Sequence, residues 1–205
     1  MSCESKDSML AYLIGALADG SLYHNKKHYV HRVSYYQQSR EYLVDCIEPR
    51  IMQLFAKKGH FYFDRRKNVY YYEITSKRIF LSFKKAIESF KSESNRRIPS
   101  WIRNGENSIG IAFVRGFFDA DGFYYASPEK ADYRVRFGQS EYFILKDLKE
   151  LLSHEFKCSD VLGPYQSKIG AKPYYELHIH GLEQVSKFQE QIRPCHPHKQ
   201  WDGII

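Results

Sequence analysis

Two runs of the chain, MLAYLIGALADGSL from Met9 to Leu22 and IGIAFVRGFFDADGFYY from Ile109 to Tyr125, are apolar on nearly every side. That is the pattern of a helix buried all round rather than on one face. Small residues return along each run: Ala11, Gly15 and Ala18 in the first, Ala112, Gly116 and Ala120 in the second. A small stripe lets a neighbouring helix approach closely, so the runs predict two helices packed side by side. Each ends on an acid followed by glycine, Asp19-Gly20 and Asp121-Gly122. Glycine is a natural helix stop, and a carboxylate beside it sits at the negative end of the helix dipole, unfavourable unless a cation shares the site.

Between these runs the period switches. Asp7 or Ser8 is expected to cap the first helix. Ser21–Asn25 and His28–Gln38 alternate as a hairpin about Lys26-Lys27, with polar and aromatic residues on both faces. Ser39 opens a helix predicted to run through Lys58, with Tyr42, Leu43, Cys46, Ile47, Ile51, Leu54 and Phe55 inward and Pro49 kinking or restarting it. A second hairpin, Phe61–Arg65 and Val69–Thr75, precedes a helix that turns Ile79, Phe80, Phe83, Ile87 and Phe90 inward. Ser92–Asn107 is polar and basic, the composition of a linker. The same order then returns: strands at 123–127 and 133–139, a helix at 140–156, strands at 161–168 and 174–180, and a helix at 182–192.

The offset between the halves is steady. Asp19 to Asp121 is 102 residues, Gln38-Ser39 to Gln139-Ser140 is 101, and Tyr71-Tyr72-Glu73-Ile74 to Tyr174-Tyr175-Glu176-Leu177 is 103. A constant offset marks a duplicated unit. The halves are expected at 1–92 and 108–205, joined by 93–107.

At VRGFFDADG, Val114 to Gly122, the chain resembles the LAGLIDADG homing endonucleases in their single-chain form with two motifs: Gly116, Asp119, Ala120, Asp121 and Gly122 stand at the pattern's positions. The first copy departs from the pattern, with Gly15 four residues before Asp19 instead of five and Leu17 in place of the first acid, which predicts a helix contact shifted by a residue. The resemblance implies an α+β fold of two pseudo-twofold-related αββαββα repeats. The motif helices pack at the joint, and two antiparallel four-stranded sheets form a DNA-binding saddle. Carboxylates suit Mg²⁺, with Ca²⁺ or Mn²⁺ able to occupy the same sites, and two metals can activate water and stabilise the leaving oxygen. The resemblance assigns the ligands to Asp19 and Asp121 and to the backbone carbonyls of Ala18 and Ala120. Similar enzymes carry Lys or Gln at a strand end, where it orders water near the scissile phosphate. Gln38 and Gln139 are the matching residues here, and the absence of Lys leaves the source of positive charge open. Asp119, two residues before the matched acid, is expected as a charge on the helix surface.

Composition adds a partner. The 205 residues carry 31 Lys and Arg against 24 Asp and Glu, a formal charge of +7, together with 17 Tyr and 14 Phe. This basic and aromatic balance suits a phosphate backbone, the bland alternative being an inert basic surface. The strands supply candidate base and phosphate readers: Tyr23, Asn25, Lys27, Arg32, Ser34, Tyr36, Arg65 and Arg66 in the first half, Tyr125, Arg134, Arg136, Gln166, Lys168, Lys172 and Tyr174 in the second. Cys3, Cys46, Cys158 and Cys195 form no CxxC pair, which argues for reduced thiols and against a zinc knuckle; no finger spacing links His178, His180 and Cys195-His196-Pro197-His198 either. The run Met9–Ala18 is too short to span a bilayer, and no export signal is read, so an intracellular, monomeric protein is expected. The resulting expectation is a metal-dependent endonuclease that cuts both strands of a long asymmetric duplex. The rival is a non-catalytic nucleic-acid module on the same fold, an RNA splicing maturase or a DNA-binding regulator.

Overall fold

The computed structural model describes residues 4–87, 96–166 and 172–201. Helix α1 (Lys6–Ala16) begins at Ser5, whose hydroxyl accepts the Ser8 amide, so the cap lies slightly ahead of the expected Asp7 or Ser8. It packs along α6 (Asn107–Asp121), and the approach is closest at glycine. A Cβ on Gly116 would stand 2.0 Å from the carbonyl oxygen of Tyr12, and one on Gly15 would stand 2.3 Å from that of Phe113. Backbone meets backbone there, which only hydrogen on Cα permits.

The missing residue of the first motif is absorbed by winding. After Ala16 the chain tightens into a 3₁₀ turn, Leu17–Asp19, whereas α6 stays α-helical to Asp121. With rises of about 2.0 Å per 3₁₀ residue and about 1.5 Å per α residue, Gly15 to Asp19 and Gly116 to Asp121 both advance about 7.5 Å. Asp19 therefore reaches the depth of Asp121 with one residue fewer, and the helix contact is kept without the expected shift.

A four-stranded antiparallel sheet hangs from each acid. The first takes the order β1-β2-β4-β3, from β1 (Gly20–Asn25), β2 (Val30–Gln37), β3 (His60–Asp64) and β4 (Val69–Thr75). The second repeats it as β5-β6-β8-β7, from β5 (Gly122–Ser127), β6 (Asp132–Gln139), β7 (Leu162–Tyr165) and β8 (Tyr174–His180). The register agrees as well: Gly20 pairs with Tyr35 and Gly122 with Phe137. Alternation sends Val33, Tyr35, Tyr72 and Ile74 of the first sheet, and Val135, Phe137, Leu177 and Ile179 of the second, into one core.

Helices close the inner faces. The segment after Ser39 forms α2 (Arg40–Tyr42), a π turn at Leu43–Ile47 and α3 (Glu48–Phe55). Pro49 lacks an amide and crowds the carbonyl four residues earlier, so the helix widens before it and restarts with Pro49 in its first turn. Left-handed Ala56 ends α3 short of the expected Lys58. Helices α4 (Lys77–Ala86) and α8 (Leu182–Ile192) follow the two second hairpins, α5 (Ser100–Arg103) precedes α6, and α7 (Tyr142–Leu152) follows β6. Phe90 and Lys168, expected on α4 and β7, lie outside the described residues. Past α8 the segment 194–201 runs back over the C-terminal end of α6.

Candidate active site

The two acids meet where α1 and α6 end. Asp19 and Asp121 are half-buried, and burial lifts the Asp19 carboxyl to about 6 and the Asp121 carboxyl to about 7, the latter raised further by the charge of Asp19. Each acid is held by a glutamine on the second strand of its own sheet. Gln139 donates from Nε2 to Asp121 Oδ2. In the first half the partner is Gln37, whose Nε2 lies 2.9 Å from Asp19 Oδ2 and 3.1 Å from the Ala120 carbonyl oxygen. Gln38, the residue expected from the sequence, is exposed past the end of β2 and does not join the cluster. Gln37 and Gln139 each follow their acid by 18 residues. The 102-residue offset of the acids leads from Gln139 to Gln37, whereas the Gln-Ser pairs stand 101 residues apart.

Asp119 is fully buried, not a surface charge. It accepts the Tyr12 hydroxyl at 2.6 Å, the Cys195 amide at 3.0 Å and the His196 amide at 3.1 Å. The acid thus pins 194–201 to the motif helix, and Cys195 and His196 contribute backbone amides here rather than side-chain ligands. Gln200 Nε2 folds back onto the Pro194 and His196 carbonyls, and Trp201 packs 5.5 Å from Tyr124. Fixed in this way, Lys199 places Nζ 2.7 Å from the Ala120 carbonyl oxygen and 3.2 Å from that of Phe118. Burial lowers its pKa, opposed by the charges of Asp19, Asp121 and Asp119. Arg96 adds a second cation on the Asp121 side. Lys199 thus sets a positive charge beside the acids, where the strand-end residues are neutral glutamines. Its local sequence gives no sign of this; the indirect signal is Asp119, an acid the second motif has where the first has Leu17.

The outer sheet faces hold most of the candidate readers, many already paired. Arg32 bridges Glu73 at 3.0 Å and lies over Tyr23. Arg134 bridges Asp132 at 2.5 Å and lies over Tyr125, and Arg136 bridges Glu176 over Phe123. Ser34 is buried and donates to Glu73 at 3.0 Å, and Tyr36 bonds Ser21, so neither side chain is open as the sequence reading expected. Asn25 is tied to Tyr23 at 3.1 Å. Lys27, Arg65, Arg66, Gln166, Lys172 and Tyr174 are exposed. His178 is buried, 2.8 Å from Glu176. Among the described residues no helix is long and apolar enough to cross a membrane.

Two helices crossing at glycines, an acid at the end of each and a sheet hung from each acid define a two-motif LAGLIDADG fold within one chain. The profile of the LAGLIDADG-like domain family matches residues 109–193. The homing endonuclease I-ApeI of Aeropyrum pernix is 30% identical over 196 residues, which cover 93% of this chain and 83% of that protein. The chain belongs to the LAGLIDADG homing endonuclease family. Among solved structures, I-DmoI in complex with DNA and Ca superposes with a TM-score of 0.69 at 22% identity, covering 92% of this chain and 91% of that one. I-DmoI in complex with DNA and Mn gives 0.66 at 19%, covering 92% and 97%. The fold extends to the N-terminal LAGLIDADG domain of WhiA, with a TM-score of 0.55 at 13% identity, covering 92% and 83%.

Proposed function

We propose that the chain is a monomeric homing endonuclease that hydrolyses one phosphodiester in each strand of a long duplex DNA site. The observation that carries this reading is the pair Asp19 and Asp121 at the joint of two sheets, each acid oriented by a glutamine and both pushed toward neutrality. Both motif helices come from one chain, so a second copy is not needed to complete the site.

The donor set suits a divalent cation. Two half-buried carboxylates, both lifted by burial and Asp121 further by the charge of Asp19, favour a divalent cation, and hard oxygen donors suit Mg²⁺. Among the described residues no three His, Cys, Asp or Glu side chains converge, so the protein would leave coordination positions to phosphate and water. The Ala120 carbonyl already accepts from Gln37 and Lys199, which uses both its lone pairs. Asp19 and Asp121 are therefore the ligands we assign, with Ala18 beside the first. When bound, such an ion polarises the phosphate and eases loss of a proton from the attacking water. Gln37 and Gln139 fix the rotamers of the acids, so the carboxylates need not reorganise as the duplex docks. The exposed Lys27, Arg65, Arg66 and Lys172 are assigned to backbone phosphates. Tyr23, Tyr125, Gln166 and Tyr174 are assigned to base edges, along with Arg32, Arg134 and Arg136 where DNA competes for their carboxylate partners.

The test is selection from a randomised plasmid library with wild-type protein in Mg²⁺, in Ca²⁺ and in chelator. A discrete double-strand cut in Mg²⁺ alone is expected. Equal cutting in chelator, or binding to single-stranded RNA tighter than to any duplex, would sink the reading.

A further inference from the structure

The acids at the joint, the glutamines beside them and the phosphates of two strands together lack a nearby strand-borne cation, and the structure shows one arriving from elsewhere. We propose that Lys199, delivered by the C-terminal strap 194–201, is the active-site lysine of this chain, its ammonium standing against the scissile phosphate. This rests on the nuclease reading above and names the source of its positive charge.

Three observations converge. The strap is anchored by design of the motif itself, through the buried Asp119 carboxylate that takes the amides of Cys195 and His196. Lys199 leaves the strap three residues later and fixes Nζ on the carbonyls of Phe118 and Ala120, the last turn before Asp121. An ammonium has three N–H donors, so these two bonds leave one for a phosphate oxygen. The Ala120 carbonyl it holds also accepts from Gln37 Nε2 of the first sheet at 3.1 Å, which places the ammonium between the halves rather than on one sheet. The strand ends that face the same acids carry amides, which can orient a carboxylate but supply no net charge.

The asymmetry of the repeat fits. Only the second motif has the anchoring acid; at the equivalent place in the first stands Leu17, buried and unable to accept an amide. One anchor holds one strap and one lysine, serving both acids.

A lysine that merely capped the end of α6 would affect stability and leave the rate of chemistry alone. The two roles separate in single-turnover cleavage, with enzyme in excess over the duplex that wild type selects from the plasmid library. Binding of the same duplex is measured in Ca²⁺ and unfolding by heat. Lys199→Met is expected to keep duplex affinity and fold while losing about a hundredfold in cleavage rate, the scale of removing one preorganised donor to developing charge. Ethylammonium should restore a substantial part of the rate to Lys199→Ala and none to Asp121→Asn. Cleavage by Lys199→Met at the wild-type rate overturns the assignment and leaves the nuclease reading standing. If wild type cuts no duplex in the library, the nuclease reading falls and this role falls with it. Should Lys199→Met unfold, Lys199→Ala with and without ethylammonium decides: rescue of cleavage supports the role, and amine-independent cleavage or restored folding without restored cleavage overturns it.

Discussion

Adding one methyl group at Gly116 tests the helix joint on which the site is built. In Gly116→Ala the new Cβ would lie 2.0 Å from the Tyr12 carbonyl oxygen, 2.9 Å from its carbon and 3.1 Å from the Ala16 nitrogen. Ordinary contact needs roughly 3.5 Å, so α1 and α6 must part by more than an ångström, with rigid backbone on both sides. Overpacking of this kind costs about 1–3 kcal/mol, here at the upper end, while alanine's helix propensity offsets about 1 kcal/mol. A net loss of about 2 kcal/mol lowers the thermal midpoint by roughly 4–8 °C for a chain of this size. Gly110→Ala on the same helix is the control, because its Cβ would meet nothing closer than Leu151 Cδ2 at 3.7 Å. There the propensity gain of about 1 kcal/mol is unopposed and the midpoint should rise by roughly 2–4 °C. Differential scanning calorimetry of both variants decides. A Gly116→Ala midpoint at or above wild type, or both variants shifting the same way, would refute the close crossing.

Asp147 is fully buried and accepts from Arg97 Nε at 2.8 Å and from the Ile98 amide at 2.9 Å, tying the end of the linker to α7. Asp147→Ala strands both donors and should cost about 3 kcal/mol in urea denaturation, with new protease cleavage close to Arg97; no change in either measurement would mean the linker is held by something else. Burial pushes the imidazole of His196 down to about 4, beside the positive Lys199. Below its unfolded value near 6.5 the unfolded chain takes a proton that the folded strap refuses, so this contribution is whole above pH 6.5 and is lost as pH falls toward 4, up to about 3 kcal/mol. Because the raised carboxyls of Asp19 and Asp121 act in the opposite sense, the comparison is with His196→Asn, whose urea midpoint should fall less than wild type between pH 7 and pH 4.5; parallel falls would contradict the assignment. Duplex affinity should fall with salt at a log–log slope of about −0.9 per neutralised phosphate, and a slope shallower than about −3 would exclude sheets that track both backbones.

The repeat, the crossing helices and the two acids are legible in the sequence because they are local or periodic: small residues at helical spacing, Asp-Gly stops and an offset of about 102 residues. The 3₁₀ turn at Leu17–Asp19 reconciles the shortened first motif, which spacing alone read as a displaced contact. Gln37 was one residue from legible, since strand alternation fixes its face and only strict use of the acids' offset separates it from Gln38. Asp119 and Lys199 were not legible. An acid two residues before another reads as a surface charge until a distant segment covers it, and Lys199 reaches Ala120 only because Asp119 anchors its strap through the Cys195 and His196 amides and Trp201 seats against Tyr124. The readers on the strands are legible by type, but the pairing of Arg32 with Glu73 and of Arg136 with Glu176 depends on cross-strand register.

The measurement that bears most directly on the shared acid site is cleavage and binding by Asp19→Asn and Asp121→Asn on the duplex selected by wild type. Each substitution keeps size and removes one charge from the crowded joint. We expect both variants to bind that duplex in Ca²⁺ as tightly as wild type or more so, and to make no double-strand cut in Mg²⁺. Full double-strand cutting by either variant would contradict an active centre built on both acids.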